Sequence, residues 1–227
     1  MITPPIDSSA IRWSVPREEV ASALADRPLL IMMHGYGSNE GDLFSLSQFL
    51  PPEFVVASLR GQNAEGPGFN WFHITPDPVT GMLNRDINEV NASTVRLLAW
   101  LDDLEAEVGE LPRIAVLGFS QGGVMALQLL RHAPERFTAG ILMAGFAVED
   151  DTQAGIERDA RLAAVLPPVF WARDPHDPVI HPDLVAFTRK WLPEHSDLDA
   201  RLFSNVGHSI SMEEIEDATE FLRLHAL

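Results

Sequence analysis

Residues 116–130 read VLGFSQGGVMALQLL, an apolar run broken by one serine held between glycines. A run of this kind serves a core, so a hydroxyl in its middle needs a reason. The run divides in two. Its first half completes RIAVLGF (113–119), a stretch that predicts a buried strand, and its second half predicts a helix over 121–132. Gly118, Ser120 and Gly122 therefore stand at a strand-to-helix turn, the setting in which Gly-x-Ser-x-Gly makes a nucleophile elbow. Crowding explains the glycines. A chain that reverses within one residue holds its serine in a strained conformation, and side chains two positions away would collide. The helix that follows aims its unpaired NH groups and positive dipole end at the place where an oxyanion would form. The plainer alternative for Ser120 is a helix N-cap.

Outward from this turn, short apolar runs alternate with helical patterns, as the crossover units of a parallel sheet require. LLIMMH (29–34), FVVASL (54–59), RIAVLGF (113–119), AGILMAG (139–145), PVFWAR (168–173) and ARLFSN (200–205) predict strands covered on both faces. Ile87, Val90, Leu97, Leu101, Leu104 and Val108 recur at three- and four-residue steps and predict a long amphipathic helix stopped by Gly109. Further helices are expected at 183–192 and 212–224. Two stretches, 61–81 and 146–159, read as irregular, and each follows a strand's carboxyl end, where open parallel sheets bind ligands. The first carries Phe69, Trp71 and Phe72, rings that are costly to leave in water.

The 227 residues suit one globular domain, and a hydrophobic fraction of 46% supports a sizeable core. With 16 Lys and Arg against 33 Asp and Glu, the formal charge of −17 repels phosphate backbones and anionic membrane surfaces. Nucleic acid is therefore not expected as a partner. The chain has no cysteine, which excludes a disulfide, a thiolate nucleophile and a cysteine-ligated metal. Its first residues lack the basic head and apolar stretch of a signal peptide, and no apolar run approaches the ~20 residues of a membrane span. The expectation is a cytoplasmic protein without stable membrane insertion; a homo-oligomer stays open.

A serine hydroxyl needs a base, so the elbow predicts an acid and then a histidine later in the chain. His208, in LFSNVGHSI, lies just past a predicted strand beside Gly207. His225 falls in a terminal helix, while His132 and His195 read as exposed near helix ends. For the acid, ARDPHDPVIHP offers Asp174 and Asp177 after the strand PVFWAR. Asp177 is favoured, because its carboxylate can point back over the sheet as the chain turns into the next helix; Asp174 could instead orient the loop. The oxyanion donors are expected to be the Gln121 NH, directly after the serine, and the Tyr36 NH, in the glycine-punctuated loop of MMHGYGSNEGDL (32–43).

Taken together, HGYGSNEGDL, NWFHI, GFSQGGVMALQLL, DPVIHPDLVAFTRKWL and GHSI resemble the carboxylesterase/phospholipase family of α/β-hydrolases, which includes the acyl-protein thioesterases and small bacterial esterases. The resemblance runs from about Leu29 to about Phe221. It implies an α/β-hydrolase fold with a mostly parallel central sheet flanked by helices on both faces. It further implies Ser120 as nucleophile, Asp177 as acid, His208 as base, Tyr36 and Gln121 as backbone oxyanion donors, and Trp71 beside the acyl site. Phe72 joins Trp71 as an expected substrate contact. The implied reaction is cleavage of a small-molecule carboxylic ester, thioester or lysophospholipid, with no metal or organic cofactor. A non-catalytic ligand-binding member of the fold is the alternative, and an intact Ser, Asp and His set argues against it. Two positions depart from the family pattern: Asp174 stands where glycine is common, and His73 follows WF where aspartate is frequent.

Overall fold

The computed structural model describes residues 4–76 and 83–227. In chain order these form β1 (Arg12–Trp13), α1 (Val20–Leu24), β2 (Leu29–Met33), β3 (Val55–Leu59), β4 (Asn63–Glu65), β5 (Gly68–Asn70), β6 (Thr75–Pro76), β7 (Leu83–Asn84), α2 (Ile87–Val108), β8 (Ile114–Phe119), α3 (Gln121–His132), β9 (Ala139–Met143), α4 (Gln153–Val165), β10 (Pro168–Arg173), α5 (Pro182–His195), β11 (Asp197–Leu202) and α6 (Met212–His225). A seven-stranded sheet runs in the order β1-β3-β2-β8-β9-β10-β11. Within that sheet, among the described residues, only the β1–β3 pair is antiparallel.

Alternation along the strands divides the core. Leu29, Ile31 and Met33 of β2 face one side with Ile114 and Val116 of β8, packed against residues of α1 to α5. Leu30, Met32, Ala115 and Leu117 face the other side, under α6 and the short 3-10 helix Leu43–Phe49. Period-two alternation with both faces covered is why these strands read as unbroken apolar runs. The helices end where local chemistry stops them. Asp86 caps α2 through the Asn88 NH, Gly109 closes it at φ 95°, and Ser211 and Glu214 form a reciprocal capping box on α6.

Two expectations need correction. Residues 146–159 are irregular only in their first half, because α4 begins at Gln153 behind a Thr152 cap that accepts from the Gly155 NH. Its core-facing stripe is faint: Leu162 and Gly155 alone are buried, so periodicity hardly marks it. The last strand spans 197–202 rather than 200–205, with Asp197 in register with Pro168. As an edge strand it is half exposed and charged, so apolar content points past it toward Phe203, which packs in the core. The 61–81 segment holds the β4–β5 hairpin and β6; its part from 77 to 81 lies outside the described residues.

The chain passes from β2 to β3 on one side and then to β8 on the other, so strand order reverses around β2. Ligands bind at the carboxyl edge of such a reversal. Among the described residues, no helix is long and apolar enough to cross a membrane.

Candidate active site

Ser120 sits between β8 and α3 at φ 53° and ψ −116°, a backbone conformation that costs a non-glycine residue of order 1–3 kcal/mol. The turn holds because the Ser120 NH donates to the Met143 carbonyl at 2.8 Å. Its glycines are required by close approach. A Cβ on Gly118 would lie 2.0 Å from the Gly122 carbonyl oxygen, and one on Gly122 would lie 1.9 Å from that of Met33. The serine makes no side-chain cap on α3. Its Oγ instead lies 2.9 Å from His208 Nε2.

His208 Nδ1 lies 2.7 Å from Asp177 Oδ2. The carboxylate can only accept here, so Nδ1 carries the hydrogen and Nε2 is left to accept from Ser120. The Phe119 ring lies against the imidazole at 4.9 Å between centroids. Asp177 is itself fixed by the NH groups of Val179 and Ile180, both donating to Oδ1 at 2.8 and 3.2 Å. The structure thus brings Ser120, His208 and Asp177 into one hydrogen-bonded chain from three separate strand ends. Asp174 stays out of it. Its buried carboxylate accepts from the NH groups of His176, Val206 and Gly207, and these contacts, Gly207 foremost, hold its carboxyl below the ordinary aspartate range.

Tyr36 and Gln121 border the same cavity as Ser120. Gln121 is the first residue of α3, where an NH has no acceptor inside the helix. The loop bearing Tyr36 is held from three directions. Gly37 donates to the Phe69 carbonyl at 2.9 Å, and Phe69 donates back to Ser38 at 2.7 Å. Below it, His34 is fully buried; its Nδ1 donates to the Gly35 carbonyl at 2.7 Å while Nε2 accepts from the Gly61 NH at 2.9 Å. Burial lowers the His34 pKa, so the ring is a neutral strut with a fixed tautomer.

The two expected aromatic contacts separate. Phe72 lines the cavity; Trp71 does not. The Trp71 indole is fully buried, donates through Nε1 to the His34 carbonyl at 2.8 Å and packs 5.3 Å from the His34 ring. Trp71 therefore packs beneath the start of the Tyr36-bearing loop and does not reach the cavity. A clamp unseen in the sequence fixes this segment: Gln121 Oε1 accepts from the Trp71 NH at 2.8 Å and Nε2 donates to the Phe72 carbonyl at 2.6 Å. His73, the second departure from the family pattern, turns to α2 and meets Glu89 at 2.5 Å.

The cavity measures about 960 Å³, and Ser120 and His208 open into it. Phe72, Ile74, Phe146, Ile180 and Leu184 give it apolar walls, with Arg85 beside Phe146, its guanidinium 4.9 Å over that ring. Phe146 and Ile180 were not singled out in the sequence; a ring directly after AGILMAG (139–145) was the one signal for Phe146.

The chain is similar to known hydrolases over most of its length. It is 24% identical over 202 residues to MhqD of Bacillus subtilis (strain 168), covering 86% of this chain and 92% of that one. It is 22% identical over 211 residues to acyl-protein thioesterase 1 of Kluyveromyces lactis, covering 86% and 90%. The carboxylesterase from Mesorhizobium loti has the same fold, with a TM-score of 0.75 at 19% identity across 97% of this chain and 99% of that chain. The sequence pattern described as Phospholipase/Carboxylesterase matches residues 17–226. An elbow serine on a mostly parallel sheet, with a family pattern spanning nearly the whole chain, makes this protein a carboxylesterase-type hydrolase belonging to the phospholipase/carboxylesterase family of α/β-hydrolases.

Proposed function

We propose that the protein hydrolyses small-molecule carboxylic esters through an acyl-enzyme on Ser120. The observation that carries this reading is the unbroken hydrogen-bonded chain from Asp177 through His208 to Ser120, whose last member opens into an apolar cavity. Ser120 Oγ attacks the ester carbonyl carbon while its proton passes to His208 Nε2. The carbonyl oxygen becomes an oxyanion and accepts from the Tyr36 and Gln121 NH groups. Collapse breaks the carbon–oxygen bond to the leaving alcohol, which takes the proton from His208. Water then attacks the acyl carbon with His208 again as base; the acid departs and the serine is restored. Asp177 keeps the imidazole in its Nδ1–H tautomer and stabilises the imidazolium.

Phe72, Ile74, Phe146 and Leu184 fit an acyl chain better than a charged headgroup. Thioesters and lysophospholipids would use the same machinery, and the likeness to an acyl-protein thioesterase gives a reason to assay them beside oxygen esters. Replacing Ser120 with alanine tests the reading. The variant should fold yet fall to the rate that oxyanion donors and binding leave alone, roughly 10³–10⁴ over the uncatalysed reaction. A fluorophosphonate should label the parent and not the variant. Near-parental turnover of a p-nitrophenyl ester by folded Ser120→Ala would remove the serine from the chemistry.

A further inference from the structure

A carboxylate that the proposed chemistry does not use lies behind the triad. Asp174 leaves β10 directly and is buried. Its Oδ1 accepts from the NH of His176, the residue before Asp177, at 2.7 Å. Its Oδ2 accepts from the NH groups of Val206 and Gly207, the two residues before His208, at 2.7 and 2.8 Å. Where the two strands end, the Phe203 NH still donates to the Arg173 carbonyl at 3.0 Å. Past it, the chains that carry the acid and the base diverge into separate loops. Asn205 and Gly207, at φ 68° and 67°, curl the second loop so that successive NH groups converge on the carboxylate.

We propose that Asp174 is a positioning residue for ester hydrolysis, one side chain that ties the acid loop to the base loop and so fixes the Asp177–His208–Ser120 alignment. The proposal rests on the reading of those three residues as a triad. Three NH donors aimed at one side chain call for an acceptor-only group, which an ionised carboxylate is and an amide is not. His176 Nδ1 also lies 3.9 Å from Oδ1. Asparagine could keep its oxygen on the Val206 and Gly207 donors, but its NH₂ would then face the His176 NH. Alanine would release both loops.

The test compares Asp174→Ala and Asp174→Asn with the parent, counting active sites by fluorophosphonate titration so that turnover is expressed per competent Ser120. Misplacing a catalytic group by about 1 Å costs on the order of 10²-fold, so Asp174→Ala should lose roughly that factor in kcat per titrated site, with KM changed less than about two-fold. Asp174→Asn should fall between, near 10-fold, since one of three bonds is lost. If alanine does not fold, the asparagine variant carries the test alone. Parental kcat per titrated site in the folded variants, with only the number of competent molecules reduced, would make Asp174 a stability residue and overturn the proposal. Ser120→Ala serves as the control: if it stays active, the triad reading itself has failed, whereas an inactive Ser120→Ala beside fully active Asp174 variants sinks only the positioning role.

Discussion

At the residue scale, Ser120 combines a strained backbone with a hydroxyl that points away from the helix it opens, toward His208. The Ser120 NH bond to Met143, with Gly118 and Gly122 leaving room for the backbone to close in, is what makes that combination tolerable. The partition of roles between the two aspartates follows from their contacts. Asp177→Asn should lower kcat by about 10⁴ at neutral pH, because an amide facing Nδ1 selects the wrong imidazole tautomer, as it does in serine-protease triads. Asp174→Asn should cost far less, and a reversed ranking in steady-state kinetics would put Asp174 in the triad. Ser120 and His208 stand out in the sequence because the elbow is local and demands a later base. The second carboxylate was legible only as a pair of candidates, since two of the three NH groups that bind Asp174 come from residues about thirty positions away. No short-range pattern encodes the Gln121 side-chain clamp either, because its partners lie fifty residues back.

At the element scale, strands were readable where both faces are covered and blurred where one edge is open, as β11 shows. The segment after β5 stood out for its rings, but burial alone could not tell them apart. Trp71 and Phe72 are both fully buried, yet one lies under the Tyr36-bearing loop and the other faces the cavity. Their alanine variants should therefore differ in kind. Phe72→Ala should change the kcat/KM ratio between short and medium acyl esters by several-fold, since each buried methylene contributes about 0.8 kcal/mol. Trp71→Ala should lose stability, on the order of 3–5 kcal/mol, and depress turnover of all esters alike. Chain-length profiles for the two variants decide the matter: an altered profile for Trp71→Ala with a parental one for Phe72→Ala would exchange their roles.

At the scale of the whole molecule, one polar cluster joins the helices on a single face of the sheet. His132, which the sequence suggested was exposed, is half-buried; its Nε2 donates to Asn91 of α2, whose amide in turn donates to the buried Asp150. Arg158 of α4 pairs with Asp150 from the other side. Burial, with Arg158 and Arg131 nearby, lowers the His132 pKa from 6.5 to about 4, so the folded protein resists a proton that the unfolded chain accepts. Stability should fall as pH drops from about 6.5 to about 4, and His132→Gln should flatten that part of the Tm profile. An unchanged slope would show that His132 does not set it. Burial works against ionisation of Asp150, but bonds from Thr152, Asn91 and Arg158 prevail and hold its carboxyl at about 2, so its contribution is lost only in stronger acid. Hydrolysis through Ser120 would make the chain itself a covalent intermediate. Intact-mass spectrometry of protein quenched in acid during turnover of a p-nitrophenyl ester looks for it. The expected result is a mass increase of one acyl group, mapped by peptide sequencing to Ser120. Turnover with an acyl group trapped on a different residue would contradict it.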